Sequence, residues 1–224
     1  MPAPFAPVWT AIRRWALPST CLGCEAPAAD TTLLCAPCEA LLRPASPMPT
    51  PLHAASGLAI LAAFTYDAAS APLLTRYKFH EDLAAGRALA ALCLPVLRRA
   101  PRPQALVPVP LHDRRLRARG HDQALGLARD WARALDLPVM ADVLRRRRDT
   151  RPQTELDAAA RRRNLDDAFA LCGPCPAHVA LVDDVVTTGS TVAAAARALR
   201  AGGAVRIDVW AVAQAPGPRP EAPA

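Results

Sequence analysis

Residues 178–191 read HVALVDDVVTTGST. The unbroken apolar run at their start suits a strand covered on both faces. Two adjacent acids, Asp183 and Asp184, stand at its C-terminal end, followed by a turn of small and hydroxylated residues. The next stretch, TVAAAARALRAGG (191–203), predicts a helix capped by Ser190 or Thr191 and ended by Gly202. VRIDVWAVA (205–213) predicts another strand. Strand, helix, strand is a βαβ unit, whose parallel strands require a right-handed crossover. The chain is therefore expected to be α/β.

The same stretch suggests a chemistry. Open α/β sheets bind ligands beyond the carboxyl ends of their strands. A turn entering a helix aims several unpaired N–H groups at one place, where the helix dipole favours an anion. Gly189 permits a positive φ or a close approach, and Thr187, Thr188, Ser190 and Thr191 offer hydroxyls. Two carboxylates would repel a phosphate, but they suit sugar hydroxyls with a divalent ion close by. A ribose 5-phosphate meets both demands. The plainer alternative is a strand end with two solvated acids and a capped helix; the appended TTGST argues against it.

Upstream, residues 1–51 hold ten of the 24 prolines and four of the seven cysteines. Such a stretch cannot sustain long helices or central strands. Cys21 and Cys24 form one CxxC, and Cys35 and Cys38 another. Four thiolates in two knuckles are the closed arrangement of a structural zinc site, and in a small Pro-rich module the metal would supply folding energy. The expected organisation is a zinc ribbon over about 18–42 within residues 1–51, a main domain over 52–214, and a Pro-rich tail over 215–224 expected to be disordered. Proline interrupts the apolar run a signal peptide would need, and Arg13 and Arg14 come too late for one. No apolar stretch is long enough to span a membrane. A cytoplasmic chain with reduced thiols is expected; nothing sets its oligomeric state.

The middle alternates between periods. Strands are expected at 57–66 and 105–110, and helices at 68–78, 81–99 (broken or kinked at Pro95) and 121–137, the last presenting Leu125, Ala128, Ala132 and Leu135 on one face. Net charge is +7, and of 27 basic residues only Lys78 is lysine. Arg suits anionic partners because its planar fork meets phosphate with two hydrogen bonds. A basic loop, His112 to Gly120, follows the second strand and holds Arg114, Arg115, Arg117 and Arg119. LRRRR (144–148) and ARRRN (160–164) flank RDTRPQT and read as a mobile lid, a nucleic-acid footprint or a solvated face. Lys78 reads as a phosphate contact or a surface residue. Cys172-Gly-Pro-Cys175 repeats the CGPC of thioredoxins but lacks the helix N-terminus that would activate it, so a surface turn is expected. Cys93 is expected in the core.

VALVDDVVTTGST resembles the phosphoribosyl-pyrophosphate (PRPP) motif of type I phosphoribosyltransferases. RYKFHEDLAAGRALA (76–90), LVPVPLHDRRLRARGHDQALGLA (106–128) and RRRDTRPQTELDAAARRRNLDDAF (146–169) resemble the ComF family, as do the cysteine pairs. The likeness departs at GHDQ (120–123), where the family has G-[FY]-N-Q, and at Gln153-Thr154-Glu155, where Q-T-G is usual. It implies a phosphoribosyltransferase-like parallel sheet behind a zinc ribbon. It implies that Asp183 and Asp184 hold the ribose hydroxyls, with Val185, Thr187, Thr188, Gly189, Ser190 and Thr191 completing the PRPP site. Mg²⁺ would bridge ribose and pyrophosphate, and the loop at Pro110, Leu111, Arg114 and Arg115 would take the pyrophosphate. An active enzyme would transfer a phosphoribosyl group, with Asp183 and Asp184 as its catalytic residues. The alternative is a non-catalytic DNA-uptake adaptor that contacts single-stranded DNA or a competence helicase, with PRPP as ligand or regulator. A thiol oxidoreductase acting through Cys172 and Cys175 is a third reading.

Overall fold

In the computed structural model, which describes residues 19–28, 32–45, 57–80, 82–147 and 168–216, the chain runs α1 (Ala36–Ala40), β1 (Ala59–Thr65), α2 (Ala71–Phe79), α3 (Leu83–Leu97), β2 (Ala105–Pro108), α4 (Asp113–Arg119), α5 (Gln123–Leu135), β3 (Leu144–Arg146), β4 (Phe169–Leu171), β5 (His178–Val186), α6 (Ser190–Ala201) and β6 (Arg206–Gln214). The main sheet has the order β1-β6-β5-β2, and every pair is parallel. The expected βαβ unit is β5–α6–β6. β3 and β4 form a separate antiparallel pair, which the sequence reading did not anticipate. The lid reading over 148–167, the linker over 46–51 and most of the tail lie outside the described residues.

Alternation along the strands divides the core into two layers. Ala180, Val182, Trp210 and Val212 face α2, α3 and α5, meeting Leu74, Tyr77, Leu89, Leu127 and Trp131. Val179, Leu181, Val209 and Ala211 face α6 and the β3–β4 pair, meeting Val192, Leu199, Leu144 and Phe169. Helices thus cover both faces of a four-stranded parallel sheet. The cysteine module joins the first layer, since Cys21, Leu34 and Leu42 belong to that core. Its exit strand also lies along the outer edge of β1, where the Thr65 amide donates to the Arg43 carbonyl (2.9 Å) and the Ala45 amide to the Ala63 carbonyl (3.1 Å). That edge is consequently not left open.

Local chemistry sets the helix ends. Pro72 occupies the first turn of α2, where a missing N–H costs nothing. The Asp82 carboxylate accepts the Ala85 amide (3.0 Å) and caps α3. Pro95 neither breaks nor ends α3, because it falls in the last turn and removes a single bond there. The basic stretch after β2 is helical rather than a loop: the His112 ring accepts the Arg114 amide, and Gly120 ends α4 at φ 71°. α6 is capped by Gly189 at φ 72°, with no side chain in the role expected of Ser190 or Thr191. On α5 the buried stripe is Gln123, Ala124, Leu127, Ala128, Trp131 and Ala132, so Leu125 and Leu135 are only half-buried.

Tyr77 locks α2 to both neighbours. Its hydroxyl donates to the Gln123 carbonyl (2.8 Å), and its ring lies where a Cβ on Gly86 would come within 2.3 Å of Cε2. Gly86→Ala gains ~1 kcal/mol of helix propensity, but the clash with a fixed ring costs about 1–3 kcal/mol and occasionally more. We expect net destabilisation of up to about 2 kcal/mol, read as a lower denaturation midpoint at unchanged m-value. An unchanged midpoint would mean that Tyr77 is free to move.

Candidate functional site

β2 and β5 are neighbours, but the chain leaves them toward opposite faces: α5, after β2, belongs to one core layer and α6, after β5, to the other. A divergence of this kind opens a crevice at the strands' carboxyl ends. A cleft lies there, lined by Lys78, Val109, Pro110, Leu111, Arg115, Arg119, Gln123, Ala124, Arg146, Asp183, Asp184, Val185 and Thr191. A smaller lobe is lined by Asp183, Val185 and residues 186–192, so the two share Asp183, Val185 and Thr191.

Adjacent residues on β5 point to opposite faces, and the acid pair straddles the strand. Asp184 is buried on the α2–α5 side, with its Oδ1 3.0 Å from Lys78 Nζ. Asp183 is on the side of α6 and β3. Its Oδ1 accepts the Asp184 amide (2.9 Å), and Asp184 Oδ1 accepts the Val185 amide (2.6 Å). Burial, reinforced by the charge on Asp184, pushes the Asp183 carboxyl up to about 7, although that amide, Lys78 and Arg146 oppose the rise. Two acids side by side thus sit in different electrostatic settings, one paired with a cation and one held near neutrality.

The hydroxyl turn makes the smaller lobe. Gly189 turns the chain into α6, with Thr187 and Thr188 exposed and Ser190 and Thr191 half-buried. Thr188 Oγ1 and Ser190 Oγ are 3.1 Å apart. Opposite, the Asp122 carboxylate accepts the Leu125 amide (2.9 Å), capping α5, and the Leu111 amide (3.2 Å). It thereby fixes the Pro110–Leu111 wall. Arg119 Nη1 donates to Gln123 Oε1 (3.1 Å), and its guanidinium lies 5.0 Å from the Phe79 ring centroid.

Every residue expected at the ribose 5-phosphate site therefore lines one or both lobes. Of the expected pyrophosphate loop, Pro110, Leu111 and Arg115 line the cleft, whereas Arg114 is exposed on α4 and does not. Lys78 lines it as Asp184's ion-pair partner. Gln123 is not among the residues the sequence points to, and Arg119 and Arg146 stand out there only as members of charge runs. The signal for Gln123 is a polar residue directly after a capping Asp, at the position where GHDQ still agrees with the family's G-[FY]-N-Q.

The four cysteine sulfurs of 21, 24, 35 and 38 lie within 4.8 Å of one another. Tetrahedral Zn–S bonds of about 2.3 Å imply sulfur separations of about 3.8 Å, and Cys24 and Cys35 already stand 3.5 Å apart. Its neighbours Cys24, Cys35 and Cys21 push the Cys38 thiol up to about 12, because crowded sulfurs cannot all ionise without a cation. Cys21 moves the other way: burial opposes ionisation, but the amides of Cys35, Gly23 and Cys24 bring it down to about 6. The set can hold a structural metal such as zinc, and among the described residues no other such cluster occurs. Cys172 is exposed and Cys175 half-buried, on a turn between β4 and β5 with no helix N-terminus. Cys93 is fully buried on α3. No helix of the described residues is long and apolar enough to cross a membrane.

Fold and site together define an α/β protein of the open parallel-sheet class, carrying a four-cysteine module on its N-terminal side. No family model matches the chain. Among curated proteins it is 39% identical over 153 residues to Competence protein F of Haemophilus influenzae, covering 64% of this chain and 67% of that protein. To DNA utilization protein YhgH of Escherichia coli it is 38% identical over 146 residues, 62% of this chain and 64% of the relative. The YhgH protein of Salmonella typhimurium aligns over 199 residues at 34% identity, 86% of this chain and 82% of the relative. The first two alignments span about two thirds of those relatives' length. The chain belongs to the ComF family of competence and DNA utilization proteins.

Proposed function

We propose that the cleft binds PRPP, or another ribose 5-phosphate, together with Mg²⁺. One observation carries this reading: an acid pair, a hydroxyl-rich helix entrance and four cationic side chains from three elements converge on a single cleft. The smaller lobe suits the 5-phosphate, which the amides and hydroxyls of 187–191 would hold. Asp183 and Asp184 suit the ribose hydroxyls, and their oxygens are the hard donors that Mg²⁺ takes. Lys78, Arg115, Arg119 and Arg146 suit the pyrophosphate. Mg²⁺ would supply charge neutralisation at the pyrophosphate oxygens.

In an active enzyme the bond from the anomeric carbon to pyrophosphate breaks as an acceptor's lone pair forms a new one, through an oxocarbenium-like transition state. The chain's part is to orient the sugar and take up charge on the leaving group. Calorimetric titration with PRPP, with and without Mg²⁺, tests the binding. A magnesium-dependent heat lost in the Asp183→Asn/Asp184→Asn double variant is expected; no heat with metal-replete, folded protein overturns it. Pyrophosphate release across bases, amines and ammonia tests transfer.

The names of the relatives favour a second reading, an adaptor in DNA uptake that contacts single-stranded DNA or a helicase partner. Arg114 and Arg117 on α4 are exposed and do not line the cleft, which leaves them available for it. Salt-dependent binding to single-stranded DNA that survives the double Asp→Asn change would support it.

A further inference from the structure

Three consecutive side chains in the last turn of α2 reach three different parts of the molecule. Arg76 Nη1 donates to the carbonyl of Leu22 (2.7 Å), inside the first cysteine knuckle. Tyr77 donates to the carbonyl of Gln123, the first residue of α5 and part of the cleft. Lys78 pairs with Asp184. Arg76 is itself held from a second side: its Nε and Nη2 lie 2.8 and 2.7 Å from Asp82 Oδ2, the carboxylate that caps α3. The Leu22 carbonyl belongs to the Leu22–Gly23 peptide, whose N–H donates to the cluster sulfur Cys21 Sγ (3.4 Å), while the preceding peptide is held by the Leu22 amide donating to the Leu33 carbonyl (2.9 Å).

A partly exposed ion pair such as Arg76–Asp82 contributes little to stability alone. Its value here is geometric. A planar fork with two fixed edges transmits a displacement of the knuckle into α2, and α2 cannot shift without carrying Tyr77 and Lys78. We propose that Arg76 is a positioning residue that couples the metal state of the cysteine cluster to the Lys78–Asp184 pair in the cleft. The inference rests on the cysteines holding a metal, and not on the identity of the cleft's ligand. When the metal leaves, the Leu22 carbonyl loses its fixed position, the strut slackens, and Lys78 no longer holds Asp184 in one geometry.

Amide hydrogen exchange on the full-length chain tests this, with metal content measured in parallel and the metal removed by a chelator. Residues 76–80 and 183–187 report the strut and the cleft; 178–181, the far end of β5, serve as the control. In the wild-type chain, stripping is expected to speed exchange at both reporter segments about fivefold while the control stays fixed. In Arg76→Gln the reporters should exchange fast even with metal bound and respond less than about twofold to its removal. Arg76→Lys keeps the charge beside Asp82 but not the fork, and should behave like Arg76→Gln. Unchanged exchange at 183–187 on stripping the wild-type chain overturns the coupling, and that arm needs no variant to fold. Arg76→Gln responding as strongly as wild type also overturns it. A chain that takes up no metal overturns both the coupling and the metal reading; one that binds metal without the response overturns the coupling alone.

Discussion

Asp183→Asn is expected to stabilise the ligand-free chain and at the same time to remove most of its affinity for PRPP with Mg²⁺. Burial first, and then the neighbouring Asp184, raise the Asp183 carboxyl from 3.8 to about 7. Between those two values the folded chain keeps a proton that the unfolded chain has released. Stability therefore falls as pH rises through that window, and the full cost is present above it. Each unit is ~1.4 kcal/mol, so a rise of about three units bounds the cost at ~4 kcal/mol; because Asp183 is only half-buried and water screens part of its charge, the gain from asparagine at pH 8 should be on the order of 2 kcal/mol. The isosteric amide keeps an oxygen for the Asp184 amide, so the strand end stays folded. Binding moves the other way. A charge-assisted hydrogen bond to a sugar hydroxyl is worth about 1.5–3 kcal/mol, and losing it costs about ten- to a hundredfold in affinity. Denaturation at pH 5 and pH 8, alongside calorimetry, reads both effects. A stability gap between variant and wild type that does not widen from pH 5 to pH 8 would show that Asp183 is not held near neutrality by burial.

This opposition of stability and binding has a counterpart in the sequence. The β5–α6–β6 unit was legible because its signals are local: an apolar run, two acids, a small-residue turn, then alanine at helical spacing. The four cysteines were legible for the same reason. The rest of the cleft depends on convergence. Arg119, Gln123 and Arg146 come from α4, α5 and β3, and no spacing along the chain announces that they meet. The sequence of α4 suggests a loop because seven residues rich in arginine show no apolar face; His112 and Gly120 make it a helix from its two ends. The buried face of α5 differs from the leucine and alanine stripe because it is centred on Trp131, whose indole is buried and donates to the Ala90 carbonyl (3.1 Å). β3 and β4 are three residues each. Their pairing spans more than twenty positions of sequence, so short-range pattern could not reveal it.

The largest single loss of stability is expected at the cysteine cluster. Cys38→Ser should abolish metal binding, speed amide exchange throughout residues 19–45 and lower the melting temperature sharply. Metal binding by four-ligand modules of this size supplies about 10–16 kcal/mol in isolated peptides. Part of that is already invested in ordering the module, so a loss of at least about 4 kcal/mol is expected in the whole chain. At about 2–4 °C per kcal/mol for a chain of this length, the melting temperature should fall by about 8–16 °C. The effect should reach beyond the module. Cys21, Leu34 and Leu42 share a core with Leu74, Tyr77 and Trp210, and the 43–45 segment covers the edge of β1; when the knuckles open, that apolar surface and that sheet edge meet water together. Cys172→Ser is the control, because Cys172 lies outside the cluster, and it should leave metal content and melting unchanged. A Cys38→Ser chain that retains its metal and its melting temperature would show that the cluster is not what ties the cysteine module to the sheet.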